Sequence, residues 1–310
     1  MINLSKLLNT YSIIAFDPEN KQIGGAMQTH NFGACQSVIW GRHGVGIVAS
    51  QARSDRFYAF AGLEMMNLGK TAEEVLNNLV SDSNIESNQV AMIDVKGNTA
   101  AYTGKKCAPE AGHRVGKNYS CQANMMLKDT VWAAMAEAFE NSEGELVDRM
   151  MDALEAAENE GGDIRGAQSA VIKIFSSEKV ERPWTSCVYD FRVYDSPEPL
   201  QELRRLIRVK KAHQLAIAAM NLLDKEAVDD ETIALSMQRF DAALSQIPNM
   251  DSRLQHQYQY AVSLFCQGKE NEALLLLRKV FAANSRWREL TVRIARMYPE
   301  EPYARMLAKV

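Results

Sequence analysis

Residues 9–34 read NTYSIIAFDPENKQIGGAMQTHNFGA. Two short apolar runs, TYSIIAF (10–16) and QIGGAMQTH (22–30), flank the turn signal Asp17-Pro18, the pattern of two strands joined tightly. The first run opens on a hydroxyl residue, Thr10, with nine residues ahead of it. Threonine is β-branched and suits the start of a strand. A threonine placed there is also a candidate nucleophile. What the rest of the chain builds around it decides between the two.

Working outward, HGVGIVASQA (43–52), QVAMIDVKGNTAAYTG (89–104) and SAVIKIF (169–175) are further β-rich runs bounded by turn residues, and Lys96-Gly97-Asn98 predicts a hairpin turn. Between them lie two helical stretches. Residues 58–82 carry a break at Gly69, with Thr71 and Glu74 spaced as a capping box. Residues 129–163 are Ala-rich and amphipathic, interrupted near Ser142-Glu143-Gly144. Hairpins mixed with helices, without regular βαβ alternation, predict an α+β fold with antiparallel sheets. From about Pro197 only helical periodicity remains, punctuated by Pro248, Gly268 and Asn284. Ala261, Leu264, Gly268, Ala273 and Leu277 fall where a tetratricopeptide-like helix pair wants small and apolar residues. The expected domains are 1–208 and 209–310.

Composition narrows the function classes. The chain has 310 residues, 46% of them hydrophobic, and a net charge of -4, so it can bury a large core and has no broad basic field for nucleic acid or an anionic membrane. Nothing approaches the roughly 18 continuous apolar residues of a membrane span, and the opening residues lack a signal-peptide pattern. Five scattered cysteines fit a reducing compartment, so the cytoplasm is expected. No Walker loop, dinucleotide fingerprint or H-E-x-x-H motif is present, and Cys107, His113 and Cys121 lack paired zinc-ligand spacing, so neither metal nor organic cofactor is expected.

Several phrases taken in order resemble the family called domain of unknown function 1028. They are Thr10-Tyr11-Ser12-Ile13, Asp17-Pro18, Gly24-Gly25-Ala26, Ala49-Ser50-Gln51-Ala52 and Thr103-Gly104. Cys107, Ala111-Gly112-His113, Gln122-Ala123-Asn124 and the GGDxRGxQSA stretch 161–170 follow. The resemblance spans about residues 10–208. Ala123 departs from the family's glycine, Glu110 from its usual aromatic, and Thr29-His30-Asn31 from a more apolar segment.

The resemblance implies a four-layer αββα sandwich like that of N-terminal nucleophile (Ntn) hydrolases, followed here by an all-α, helical-repeat-like domain. It implies hydrolysis of a C–N amide bond in a small amide or short peptide, with Thr10 as nucleophile. A freed α-amine, with a pKa of about 7.7–8.0, can act as base where a mid-chain amide cannot, so residues 1–9 must first leave by self-cleavage. Ser12, on the same strand face as Thr10, and the amides of Gln51 and Asn124 are the expected polar supports. His30, Asn31, His113, Arg165 and Gln168 are candidate substrate-binding residues, with Arg165 suited to a carboxylate and also to pairing with Asp163. Two other readings stay open. One is a cysteine nucleophile, Cys35 with His30 or Cys107 with His113. The other is a catalytically silent scaffold whose helical domain recruits a partner or joins two copies into a homodimer.

Overall fold

A computed structural model describes residues 7–53, 55–81, 85–225 and 227–310. The chain divides into two compact units, Met1–Arg205 and Leu206–Val310. In chain order the first contains strands β1 (Leu7–Leu8), β2 (Thr10–Asp17), β3 (Gln22–Thr29), β4 (Ile39–Arg42), β5 (Gly46–Arg53), β6 (Asn88–Asp94), β7 (Thr99–Thr103), β8 (Gly112–Gly116), β9 (Tyr119–Asn124), β10 (Ser169–Ser176) and β11 (Cys187–Val193). Its helices are α1 (Arg56–Asn67), α2 (Ala72–Ser81), α3 (Val131–Asn141) and α4 (Leu146–Asn159); α5 (Pro199–Asn221) starts in this unit and ends in the second.

The strands form two sheets, one ordered β1-β5-β6-β7 with β4 also on β5, the other β11-β10-β3-β2-β9-β8. All pairings within them are antiparallel. The protein is α+β, with helices covering the outer face of each sheet. The layering follows from period-two alternation. Ile47 and Ala49 of β5 point inward to meet Ile14, Ile23, Met27 and Val171 of the other sheet, while Val48 points outward to Tyr58, Ala59 and Val75 of α1 and α2. On the second sheet α4 lies against β2 and β3, and α3 against β8 and β9. Gly25 lets the sheets close: a Cβ there would sit 2.7 Å from Ile39 Cγ2.

Local signals set the joints. Asp17 Oδ1 accepts from the N–H groups of Glu19 and Asn20, closing the β2–β3 turn. Asp94 Oδ1 does the same for Lys96 and Asn98 in the β6–β7 hairpin, where Gly97 has φ +84°. The capping box forms, with Thr71 N–H donating to Glu74 Oε2 (2.8 Å) and Glu74 N–H to Thr71 Oγ (3.3 Å). The long helical stretch breaks between α3 and α4 at Gly144, whose φ is +95°. Sequence reading did not anticipate β4, β8, β9 and β11. The β8–β9 turn uses Lys117-Asn118, with Asn118 at φ +65° in place of a glycine signal.

The second unit holds the rest of α5 with α6 (Asp230–Ser245), α7 (Met250–Cys266), α8 (Glu270–Ala283), α9 (Arg286–Met297) and α10 (Pro302–Leu307). Ala216, Phe240, Tyr260, Leu264 and Leu277 belong to its core, with Phe240 and Tyr260 stacked at 4.0 Å. His213 Nδ1 of α5 and His256 Nε2 of α7 lie 2.6 Å apart. No helix among the described residues is long and apolar enough to cross a membrane.

Candidate functional site

The two sheets bring one polar cluster together at a shared end. Across the second sheet, register aligns Ser169, Thr29, Thr10 and Asn124 on neighbouring strands. Directly opposed residues share a face, and Thr29 has the parity of Met27 and Ile23, which point between the sheets. The facing strands of the first sheet align Gln51, Gln89 and Thr103. Thr10, Ser12, Gln51, Gln89, Gln122, Asn124 and Ser169 are all fully buried, yet their neighbours are amides and hydroxyls.

The amides form one network. Gln51 Nε2 and Asn124 Nδ2 donate to the Thr10 carbonyl at 3.0 and 3.3 Å, and both also donate to Gln89 Oε1. Gln89 Nε2 in turn donates to Thr103 Oγ and to the carbonyls of Gly112 and Ala123. Ser12 Oγ donates to Gln51 Oε1 and accepts from Gln122 Nε2, each at 2.6 Å. Two acceptor-capable atoms of this cluster, Asn124 Oδ1 and Ser169 Oγ, are buried without a hydrogen-bond partner among the described residues.

The other side of the Asn9–Thr10 peptide bond is held as firmly. Thr29 Oγ donates to the Asn9 carbonyl at 2.5 Å, and Arg165 Nη2 donates to the same oxygen at 3.4 Å. Arg165 is fixed by Asp163, which accepts from Nη2 at 2.7 Å and Nε at 3.0 Å. Asp163 also accepts from the N–H of His30. A hydroxyl and a guanidinium converging on one carbonyl oxygen can stabilise negative charge developing there. The strand ends beside this bond are bent: Ala52, just after Gln51, has φ +62°, and Met125, just after Asn124, has φ +59°. Non-glycine residues in the left-handed region cost about 1–3 kcal/mol each and concentrate at functional sites.

On the helix side, Glu158 Oε2 of α4 accepts from Tyr11 Oη and Gln28 Nε2, both at 2.7 Å, locking β2 and β3 beneath the cluster. Burial, reinforced by the Glu158 charge, pushes the Tyr11 phenol well above its ordinary pKa.

The sequence candidates separate into two groups. Thr10, Ser12, Gln51, Asn124 and Arg165 meet at this end, but Gln51 and Asn124 serve the Thr10 carbonyl, while the Asn9 carbonyl is held by Thr29 and Arg165. The His30 side chain is exposed, Asn31 Oδ1 accepts from Gly33 N–H within its loop, and Gln168 Nε2 donates to Asp195. His113 pairs through Nδ1 with Thr103 Oγ at the rim, in an open pocket shared with Cys107 and Trp132. Sequence reasoning missed Gln89, Thr29 and Ser169 as members of the cluster. Alternation was the available signal: Gln89 shares its face with Ala91 and Ile93, which are buried between the sheets.

The cysteine pairings do not form. Cys35 Sγ donates to the carbonyls of Ala170 and Val193, and Cys107 Sγ to that of Asn88. Burial pushes the Cys35 thiol up to about 12, far from a reactive thiolate. No group of three or more His, Cys, Asp or Glu side chains suited to a metal ion occurs among the described residues.

No curated protein matches the chain. The crystal structure of protein SPO2555 from Silicibacter pomeroyi, itself assigned to DUF1028, is similar at 31% identity and a TM-score of 0.58, covering 66% of this chain and 89% of that one. The ancestral beta-subunit Anbu from Yersinia bercovieri is similar at 9% identity and a TM-score of 0.32, covering 63% of this chain and 92% of that one. Residues 10–203 match the family of unknown function DUF1028. The chain therefore belongs to that family.

Proposed function

We propose that the protein is an N-terminal-nucleophile amide hydrolase that first cuts its own chain between Asn9 and Thr10. The observation that carries this reading is the double clamp on that bond: Thr29 and Arg165 on the Asn9 oxygen, Gln51 and Asn124 on the Thr10 oxygen. In the first reaction the Thr10 hydroxyl adds to the Asn9 carbonyl carbon, and negative charge gathers on the oxygen between Thr29 and Arg165. Collapse breaks the C–N bond, the Thr10 nitrogen takes up the hydroxyl proton, and Asn9 is left as an ester on Thr10 Oγ. Water hydrolyses the ester, releasing residues 1–9 as a carboxylate and freeing the hydroxyl.

The new α-amine, with an ordinary pKa of about 7.7–8.0, then serves as the base for later substrates. The unpartnered Asn124 Oδ1 stands opposite Thr10 in register and suits one of its hydrogens. A substrate amide acylates Thr10 Oγ, its amine leaves with a proton, and water returns the acid. No metal is needed for these steps.

Full burial of Thr10 in the intact chain favours a second reading, a catalytically silent scaffold. In it the helical unit, tetratricopeptide-like or otherwise, recruits a partner or joins two copies. Turnover separates the readings. Aged wild-type protein should release amine from a panel of small-amide and short-peptide substrates, Thr10→Ser should retain part of that rate, and Thr10→Ala should have none. Equal turnover by wild type and Thr10→Ala would remove the nucleophile assignment.

A further inference from the structure

The residues that precede Thr10 show what shape of acyl group the cluster accepts. Leu7 and Leu8 run as a strand antiparallel to the end of β5, in register with Arg53 and Ala52. On β5, the Arg53 N–H donates to the Ser87 carbonyl and the Arg53 carbonyl accepts from Asn88 Nδ2, so both its backbone groups face β6. Ladder alternation then turns the backbone groups of Ala52 toward β1. Asn9 follows in the same run, 3% exposed, with its side-chain Nδ2 2.7 Å from Met125 Sδ and its Oδ1 buried without a partner among the described residues. Its carbonyl, the acyl group of the bond to Thr10, is the one that Thr29 and Arg165 grip. Strand edge, side-chain niche and carbonyl cradle therefore belong to separate parts of the fold, β5, the residue after β9, and β3 with the 163–165 loop. All three remain when residues 1–9 are gone.

We propose that the site binds an extended peptide on its acyl side, lying antiparallel to the end of β5 where Leu7–Asn9 lies in the intact chain, with the reacting carbonyl between Thr29 and Arg165. The substrate class is then a peptide or peptidyl amide rather than a small isolated amide. Main-chain pairing to Ala52 supplies affinity, as in other strand-addition sites. A residue with a short amide side chain fits next to the bond, because Met125 Sδ lines the Asn9 niche and accepts from the side-chain NH2. Arg165, held by the two hydrogen bonds it donates to Asp163, suits both the neutral carbonyl of the substrate and the carboxylate of the product. This inference rests on the hydrolase reading for its turnover but not for its binding.

The test uses full-length protein and a fluorescein-labelled peptide of the sequence Leu-Leu-Asn with a free carboxylate, followed by anisotropy. Three chains are compared: Thr10→Ala; wild type aged until its mass is constant; and Thr10→Ala carrying Leu7→Pro and Leu8→Pro, where proline cannot supply the ladder donor. Thr10→Ala should not bind, because its own segment fills the site. Aged wild type that has lost residues 1–9 should bind, and so should the proline variant, even if the wild type stays uncut. Binding should weaken at least tenfold when the peptide nitrogen of the second leucine is methylated, and likewise with Arg165→Gln. Binding by the proline variant with an uncut wild type would leave this inference standing and remove self-cleavage. A processed wild type that ignores the peptide, or an uncut wild type together with a proline variant that ignores it while keeping its native circular dichroism, would overturn the inference.

Discussion

In the proposed self-cleavage, Thr29 and Arg165 carry the chemistry that is most exposed to a single substitution. Both touch the Asn9 oxygen, and removing one preorganised donor from a developing oxyanion costs about 2.7–4 kcal/mol, on the order of a hundredfold or more in rate. Thr29→Val keeps the shape and loses the donor, so self-cleavage followed by mass spectrometry should slow by roughly that factor. An unchanged rate would place the charge stabilisation elsewhere. Arg165→Lys should keep charge but lose the forked bonds to Asp163, giving a smaller loss than Arg165→Gln. A second prediction concerns the thiols. Cys187 and Cys266 are exposed and should react with a thiol reagent at pH 8, whereas buried Cys35, with its thiol pushed up to about 12, should react only after unfolding. Labelling of Cys35 in the native protein would contradict the packing. Thr10, Ser12, Gln51, Asn124 and Arg165 were readable because the family phrases carry them. Thr29 was seen only as a departure from those phrases, since a threonine ending a strand has no local mark of which carbonyl its hydroxyl will meet.

At the scale of elements, β6 matters most, because Gln89 ties two strands of the opposite sheet, β8 and β9, to its own. Its Oε1 serves donors on β5 and β9, and its Nε2 serves acceptors on β7, β8 and β9. Each buried polar group stripped of its partner costs about 1–3 kcal/mol, so Gln89→Leu should lower stability by several such increments in urea unfolding. A loss below roughly 1 kcal/mol would mean that the network re-forms without it.

The α5–α7 contact gives a pH effect. Burial, with the His213 charge beside it, holds the His256 imidazole below its ordinary value. The unfolded chain then binds the extra proton at a higher pH than the folded one does. That contribution is complete above the ordinary value of about 6.5 and is lost as the pH falls through it toward the lowered folded value. Thermal unfolding followed by circular dichroism should show a lower midpoint at acid pH, and His256→Leu should flatten this slope. Helix ends were legible wherever a side chain declares them, as at Thr71-Glu74 and Gly144. The strands β8 and β11 were not, because exposed positions such as His113, Arg114, Asp190 and Arg192 dilute their apolar signal, and β9, though buried throughout, is broken up by the polar Ser120, Gln122 and Asn124.

For the whole molecule, the change from mixed to purely helical periodicity near residue 197 was plain in the sequence, since period is a property of long windows. The α+β class followed from hairpins mixed with helices in the first part of the chain, without βαβ alternation. Less visible was that hydroxyls and amides from seven strands would converge on one end, because each strand supplies only one or two of them. In the proposed reading this convergence exists to cut one bond and then to use the amine it frees. N-terminal sequencing of purified, aged full-length protein tests it most directly. The wild-type chain should then begin at Thr10-Tyr11-Ser12, a start that Thr10→Ala treated identically should not show. Wild-type protein that still begins with its original residues after prolonged incubation at neutral pH would contradict it.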